Sequence, residues 1–280
     1  MIKDVIYMTF FKYVLSFTNF WKVSKAKGHK KWFTLVLSVT WITPFVGFGQ
    51  KNNTDTLANV VVSASRQQIS ALKTPYSVSV LQSKNIENLA TRATPDMLSN
   101  IPGVFIQKTN LGGGSAFVRG LTGNQTLLII DGIRFNNSTF RYGPNQYLNT
   151  IDPSIISKVE LLKGSGSVQY GSDALTGVVN FFTLQPEFTA QKTFGGQLSA
   201  RVATDGMELS EQFKMTYSSE NTGIVFVGAN KQFGDVVRGG GIGLQRPTGY
   251  NEWDFFGKIR QKISKKWNLE GLVQTTQQSQ

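Results

Sequence analysis

The chain has 280 residues with 28 glycines, one histidine and no cysteine. It therefore forms no disulfide, thiolate metal site or thiol nucleophile, and it has few groups for acid–base or metal catalysis near neutral pH. The net charge of +12 divides evenly: residues 1–50 carry seven lysines and one aspartate, and the remaining residues carry 22 basic and 16 acidic groups. No basic stripe with interleaved aromatic residues is present, which argues against a nucleic-acid partner.

The N-terminal segment has the pattern of a secretory signal. An apolar run, Trp32–Phe48, follows two lysines and ends in Gly47-Phe48-Gly49 before Gln50. A positive region, an apolar core and a small-x-small site define a signal peptide. We expect residues 1–49 to form a signal peptide with an extended N-region, so that the mature chain begins near Gln50. A membrane anchor is the alternative, because the run of about 17 residues is at the lower limit of a spanning length.

Residues 50–72 form a polar linker that contains one extended segment. Three consecutive valines, Val60–Val62, have high strand propensity and are flanked by small polar residues. The segment is either the first strand of the following domain or a strand that adds to the sheet edge of a partner through main-chain hydrogen bonds.

Residues 73–185 predict a compact α+β domain. We expect strands at Tyr76–Leu81, Val104–Lys108, Phe117–Arg119, Leu127–Ile130, Lys158–Lys163 and Val178–Phe182. The wholly apolar strand Leu127–Ile130 should be buried on both faces, and Asp131-Gly132 should turn the chain after it. We expect Ser83 to cap a short helix, a second helix to begin at Thr94-Pro95-Asp96, and Asp152-Pro153 to begin a helical turn.

Residues 190–280 alternate between apolar and polar side chains in about five strands, of which the clearest lie at 197–204, 213–217, 253–260 and 267–274. This alternation predicts the start of an antiparallel transmembrane β-barrel with one apolar and one polar face. A soluble sandwich alternates in the same way and is the alternative. Open strand edges are not stable in lipid and plugged transporter barrels have ~22 strands. We therefore expect the chain to be a truncated piece of a longer protein.

Two nucleotide-binding patterns fail at the glycine-rich turn after Lys163. The third position of a dinucleotide fingerprint is Gln169 rather than glycine, and Ser172-Asp173 stand where a P-loop has its lysine and hydroxyl residue. The one histidine, His29, lies in the expected signal peptide, so the mature chain would have no histidine and no Ser/His/Asp set. We predict that the protein is not an enzyme and has no cofactor and no metal site.

Five pieces of the sequence, in order, resemble the plug domain of the TonB-dependent outer-membrane receptors. They are the valine-rich segment, Asn100–Val104, Phe117–Gly120, Asp131-Gly132 and Val159–Gly171. The resemblance implies an α+β plug inside a β-barrel. It also implies a TonB box after the signal peptide, formed by Leu57, Ala58, Asn59, Val60, Val61, Val62, Ser63 and Ala64.

The same resemblance implies two further sets of site residues. Arg119 and Lys163 would lock the plug by pairing with acidic groups of the barrel wall, although both can also be plain surface cations. Two apical loops, 110–115 and 136–146, would contribute to ligand binding unless they are merely solvated. The ligand-contacting residues expected in them are Asn110, Leu111, Phe140, Arg141, Tyr142 and Asn145.

The function implied is energised import across the outer membrane of a Gram-negative bacterium, with the plug on the periplasmic side of the barrel lumen. The expected partners are TonB with its inner-membrane complex, outer-membrane lipid and a small ligand. An iron complex, haem or siderophore, is the expected cargo. Cobalamin or another nutrient is the alternative cargo, and a soluble secreted binding module is the alternative from another class of protein.

Overall fold

The computed structural model describes residues 6–8, 60–61, 69–70, 75–108, 113–137, 143–144, 146–203 and 208–279. The expected signal peptide lies outside these residues except for β1 (Ile6–Met8), which pairs antiparallel with residues 200–202. We call residues 75–184 the inner domain and the long strands of residues 193–279 the wall.

Two short strands precede the inner domain. β2 (Val60–Val61) pairs antiparallel with β3 (Ile69–Ser70), so that Val60 lies opposite Ser70 and Val61 opposite Ile69. The two valines are thus extended, as their propensity for strands predicts. They are paired within the chain in a ribbon of only two residues per strand.

The inner domain consists of strands, short helices and single 3₁₀ turns. Its strands are β4 (Ser77–Gln82), β5 (Val104–Lys108), β6 (Gly114–Val118), β7 (Thr126–Ile130), β8 (Ile133–Arg134), β9 (Ile156–Lys163) and β10 (Gly177–Thr183). Its helices are α1 (Ser83–Leu89), α2 (Thr94–Leu98) and α3 (Ser167–Tyr170). Its 3₁₀ turns lie at Gly123–Gln125, Tyr147–Thr150 and Pro153–Ile155.

Five strands of the inner domain form one sheet in the order β4-β9-β10-β7-β8, and β5 pairs with β6 in a separate hairpin. β10 runs parallel to β7 and antiparallel to β9. The apolar β7 lies between β10 and the two-residue β8, and its first four residues are buried, as its sequence predicts. Asp131 and Gly132 both adopt positive φ, 48° and 85°, in the tight turn that joins β7 to β8.

The helix predictions are correct in position, and one of them is wrong in detail. Gln82, not Ser83, is the N-cap residue of α1, and the Ser83 hydroxyl donates instead to Glu87 Oε1 at 3.1 Å. Ser83 already lies within the first helical turn, where its side chain bonds along the helix. The Asp152 side chain does cap the turn Pro153–Ile155, because its Oδ1 accepts a hydrogen bond from the Ser154 backbone N–H at 3.0 Å.

β6 also departs from its predicted bounds. It begins at Gly114 and ends at Val118, whereas the sequence predicts a strand over Phe117–Arg119. Arg119 has a φ of 53°, so the extended backbone ends before it. The glycine-rich start of the strand has no alternating pattern and therefore gives no strand signal.

The wall is an antiparallel sheet of five long strands in chain order. They are β11 (Thr193–Ala203), β12 (Glu208–Ser218), β13 (Thr222–Phe233), β16 (Tyr250–Lys262) and β17 (Asn268–Ser279), and the β13–β16 connection contains a hairpin of β14 (Val236–Arg238) and β15 (Gly243–Gln245). β13 is the strand that the sequence pattern left unassigned. Val225, Val227 and Ala229 on its inward face are buried, and the two valines belong to the same apolar cluster as residues of the inner domain. Because both faces of this strand carry apolar residues, its sequence does not alternate clearly.

The outward face of the wall is apolar. Side chains that alternate along the strands point away from the inner domain and are exposed, among them Phe194, Leu198, Phe213, Ile224, Phe255, Ile259 and Leu269. The inward face of β11 and β12 is polar. This arrangement confirms the predicted two-faced strands. The described helices are short, and none has the length and apolar character needed to cross a membrane.

Gly177 provides a test of the sheet packing. A Cβ at this position would lie 2.6 Å from the Leu162 carbonyl oxygen and 3.2 Å from Val118 Cγ1. We expect Gly177→Ala to lower the free energy of unfolding of the inner domain by about 1–3 kcal/mol, because backbone and core would have to shift. Calorimetry of the purified protein measures this. Gly196→Ala is the matched control, since its Cβ would meet only the Lys214 carbonyl oxygen at 3.9 Å.

Candidate functional site: the contact between the inner domain and the wall

Two lysines of the wall point inward and are buried against the inner domain. Lys231 on β13 and Lys258 on β16 have side chains that are 7% and 0% exposed. Both lie on the face opposite the apolar outward residues, as the period of two along a strand dictates. A buried ammonium group is stable only when carboxylates or other acceptors compensate its lost hydration. Each lysine therefore needs acidic partners, and the inner domain provides one for each.

Lys231 lies among three carboxylates. Its Nζ is 2.9 Å from Asp152 Oδ1 of the inner domain, 2.7 Å from Glu252 Oε1 and 2.7 Å from Asp254 Oδ2, the last two on the neighbouring strand β16. The wall carboxylates are also held from β17: Thr276 Oγ1 lies 2.7 Å from Asp254 Oδ1, and the Gln278 amide donates to Glu252 Oε2 at 2.6 Å. This cluster joins two wall strands to the inner domain around one buried cation.

Hydrogen bonds within the inner domain orient the Asp152 carboxylate. Pro153 begins the 3₁₀ turn, and both the backbone N–H and the hydroxyl of Ser154 donate to the Asp152 carboxylate. Burial alone would raise the pKa of Asp152, but the Lys231 ammonium and the hydrogen bonds from Ser154 outweigh it, so the pKa of Asp152 lies below its usual range. Asp152 is therefore an ionised partner for Lys231 at neutral pH.

Lys258 makes the second contact of this kind. Its Nζ is 3.0 Å from Asp131 Oδ2 of the inner domain and 2.9 Å from Glu270 Oε1 of β17. Asp131 lies in the tight turn after β7, where it accepts hydrogen bonds from the Thr183 backbone N–H at 2.9 Å and the Thr183 hydroxyl at 2.5 Å. The turn thus fixes a carboxylate at the edge of the inner domain directly opposite the wall.

Further contacts extend this attachment along the same wall strands. The Gln274 amide of β17 donates to the Thr150 carbonyl oxygen at 2.7 Å, and the Thr276 hydroxyl of the same strand lies 3.2 Å from that oxygen. Val225, Val227 and Phe256 belong to the same buried apolar cluster as residues of the inner domain, including Leu81, Ile156 and Phe181. The inner domain is therefore attached to β13, β16 and β17 by apolar packing as well as by charge.

Contact with β11 and β12 is different in kind. Glu208 at the start of β12 pairs with Arg201 of β11 and, at 3.2 Å, with Arg92 of the inner domain. Arg201 Nη1 also donates to the Ala90 carbonyl oxygen at 2.6 Å. These polar contacts gather near one end of the two strands.

The two expected lock residues lie elsewhere. Arg119 is exposed and Lys163 is half-buried, and neither forms an ion pair with any described residue. Their pairing with carboxylates on further wall strands stays a prediction. The sequence predicts Lys258 only as part of the alternating strand at 253–260, and Asp131 only as a turn residue. The available signal was that an inward-facing lysine requires an acidic partner.

The remaining expected site residues fall largely outside the described part of the chain. Asn110, Leu111, Phe140, Arg141, Tyr142 and Asn145 of the two apical loops all lie outside it, and of the expected TonB box it includes only Val60 and Val61. Within the described residues, no group of three or more histidine, cysteine, aspartate or glutamate side chains is arranged to hold a metal ion.

Comparison with known proteins shows which protein family the inner domain resembles. Residues 70–178 match the family model of the TonB-dependent Receptor Plug Domain. The chain is 27% identical over 239 residues to the vitamin B12 transporter BtuB of Vibrio vulnificus, covering 83% of this chain and 37% of that protein. The chain thus spans little more than a third of the length of this relative.

Solved receptor structures share the fold. The pyoverdine outer-membrane receptor FpvA of Pseudomonas aeruginosa is 15% identical and superposes with a TM-score of 0.62, covering 79% of this chain and 30% of the receptor. The hemophore receptor HasR of Serratia marcescens is 21% identical, also with a TM-score of 0.62, covering 73% of this chain and 32% of the receptor.

Lys258→Met tests the charged attachment. It would leave the Asp131 carboxylate facing the wall without its cation and should destabilise the attachment by roughly 2–4 kcal/mol, less than a fully enclosed pair because Glu270 is partly exposed. Urea unfolding of the inner domain in the purified full-length protein measures this loss. Lys214→Met is the matched control, because Lys214 also faces inward but pairs with no described carboxylate. Equal losses of stability in the two variants would contradict this role.

Proposed function

We propose that this chain, which carries the plug domain of the TonB-dependent receptors, is the N-terminal part of an outer-membrane importer for a scarce nutrient. The observation that carries the proposal is the inner domain itself, which matches the plug and is attached by buried ion pairs to strands whose other face is apolar. An apolar outward band and a polar inward face are typical of barrels in the outer membrane.

The connections between wall strands support a definite orientation. The chain enters β11 from the inner domain, and the turns at 219–221 and 263–267 lie at that same end of the sheet. The longer connection at 234–249, with its small hairpin, lies at the opposite end. Short turns are periplasmic and longer loops extracellular in such barrels. The plug therefore faces the periplasm at the end where it joins the wall.

Energised import requires a plug that stays in place at rest and rearranges when TonB acts on it. The Lys231 and Lys258 clusters keep the plug in place, because separating a buried pair leaves an uncompensated charge. For the rearrangement, TonB must bind the chain, and we propose that residues 57–64 are the TonB box. Their described part, β2, is paired with β3 over only two residues. So short a ribbon is weak, and it can be exchanged for a strand of TonB.

The further roles inferred from the resemblance remain part of this proposal. Arg119 and Lys163 would pair with acidic residues on wall strands that follow residue 279. The loops at 110–115 and 136–146 would contact the cargo at the extracellular side. Lysine at position 163 would form a point-charge contact rather than a bidentate one.

The proposed cargo is an iron complex, haem or a siderophore, in line with the pyoverdine and hemophore receptors among the similar structures. Cobalamin is the second candidate, favoured by the relative that is 27% identical over 83% of the chain. Growth of a strain that depends on the full-length receptor, supplied in turn with haem, ferric siderophores or cyanocobalamin, distinguishes them.

The box assignment predicts a specific separation of binding from uptake. Val61→Pro removes one backbone donor and fixes φ, so it should prevent strand addition to TonB while leaving the distant extracellular loops unchanged. We expect the full-length variant to bind cargo at the cell surface but to lose uptake. The measurement is binding and accumulation of the radiolabelled cargo found by the growth test.

Val61→Thr is the control for this experiment. Threonine keeps the backbone donor and the β-branched shape, so uptake should stay close to that of the wild type. Wild-type uptake by Val61→Pro would mean that the segment is an ordinary strand or linker.

A further inference from the structure

Two tryptophans on the outward face indicate the height of the apolar band of the wall. Trp253 on β16 and Trp267, which directly precedes β17, are 61% and 73% exposed. Trp253 lies opposite Gln277, which is ten residues from Trp267 along the chain. Ten residues span about 34 Å along a strand, and a strand tilt of roughly 40° reduces this to about 26 Å along a barrel axis. The apolar band of outer-membrane barrels is about 25 Å tall and has aromatic residues at both interfaces, so Trp267 belongs at the periplasmic interface.

The connection from β16 to β17 places two lysines just beyond Trp267. Lys265 and Lys266 form the tip of this connection, and both are exposed. The backbone N–H groups of Ile263 and Ser264 donate to the Trp267 carbonyl oxygen at 2.9 and 3.2 Å and close the turn. Among the described residues, no carboxylate pairs with either lysine. We call residues 263–267 the basic turn, and it presents two adjacent ammonium groups at the end of the wall.

The neighbouring connection and the neighbouring cation differ from the basic turn. The other short connection at this end of the wall, at 219–221, contains Glu220 and no basic residue. Lys262 precedes the basic turn but faces inward, where its Nζ lies 4.4 Å from the centroid of the Phe188 ring. Of the two short connections, the basic turn is therefore the one suited to an anionic group outside the wall.

An apolar strip runs from the basic turn along the outward face of β16 and β17. Ile263 and Leu269 are 65% and 62% exposed and lie on the same face as Trp267. Ile259 and Val273 continue the strip towards the middle of the wall and are also exposed. A ligand that covers the whole surface must therefore combine an anionic group at the turn with an apolar chain along the strands.

We propose that the basic turn and this strip bind one anionic phospholipid of the periplasmic leaflet. Its phosphate lies between Lys265 and Lys266, and an acyl chain packs against Trp267 and Leu269. This inference rests on the proposed position of the wall in the outer membrane and names a lipid partner there.

The charge of the turn selects among phospholipids. Phosphatidylglycerol has a phosphate and no cation in its headgroup, so both lysines attract it. Phosphatidylethanolamine and phosphatidylcholine carry a cation beside the phosphate, which the two lysines repel. We therefore expect phosphatidylglycerol to bind more tightly than either of these lipids.

Lipid titration of the purified full-length protein tests this site. The protein in maltoside micelles is titrated with dioleoylphosphatidylglycerol or with dioleoylphosphatidylcholine, and bound lipid is counted by native mass spectrometry. The test variant combines Lys265→Gln with Lys266→Gln. The matched control combines Arg238→Gln with Arg246→Gln, which removes the same charge from exposed positions at the opposite end of the wall.

We expect the test variant to bind the first phosphatidylglycerol at least about tenfold more weakly than the wild type does, since each lysine near an anionic lipid surface strengthens binding about fivefold. The control should bind it like the wild type. An unchanged affinity in the test variant, or an equal loss in the control, would overturn the site. Equal affinity of the wild type for phosphatidylcholine would overturn the preference for an anionic headgroup.

Import is measured separately, by growth of the strain that depends on the full-length protein. A test variant that loses the lipid and still supports growth agrees with the site and leaves the proposed function intact. A wild-type protein that binds the lipid but supports growth on none of the cargoes would contradict the proposed function alone.

Discussion

Buried lysines of the wall dictate how the inner domain is placed. Lys231 and Lys258 project inward from β13 and β16, and their ammonium groups are removed from water. Neither ammonium group is stable in this environment unless nearby carboxylates compensate its charge. Wall carboxylates contribute to both clusters, but Asp152 and Asp131 of the inner domain complete them. The register of two wall strands and the position of two turns of the inner domain are thus linked by charge compensation.

This linkage makes the contact uneven. Apolar packing and ion pairs hold the inner domain on β13, β16 and β17. A polar cavity that reaches Ala229 and Lys231 of β13 lies between the inner domain and β11 and β12, where the contacts are polar. The proposed import function requires a plug that both closes a pore and yields to a pull from the periplasm.

The sequence predicted the elements better than it predicted the contacts between them. Apolar runs such as Leu127–Ile130 and turn residues such as Asp131-Gly132 signal local structure directly, and the structure confirms them. β13 gives no clear alternating signal, because its inward valines pack on the inner domain and its outward face is apolar as well. The Asp152–Lys231 pair spans 79 positions, and no local pattern connects residues so far apart. The plug fold itself was found through its resemblance to a family.

Charge pairing fastens the inner domain to the wall, and a double-mutant cycle on Asp152→Asn and Lys231→Met in the purified full-length protein tests this most directly. The measured quantity is the free energy of unfolding of the inner domain in urea. We expect a coupling of roughly 1–3 kcal/mol, because neutralising Asp152 relieves part of the cost of removing Lys231. Additive effects of the two substitutions would contradict the account.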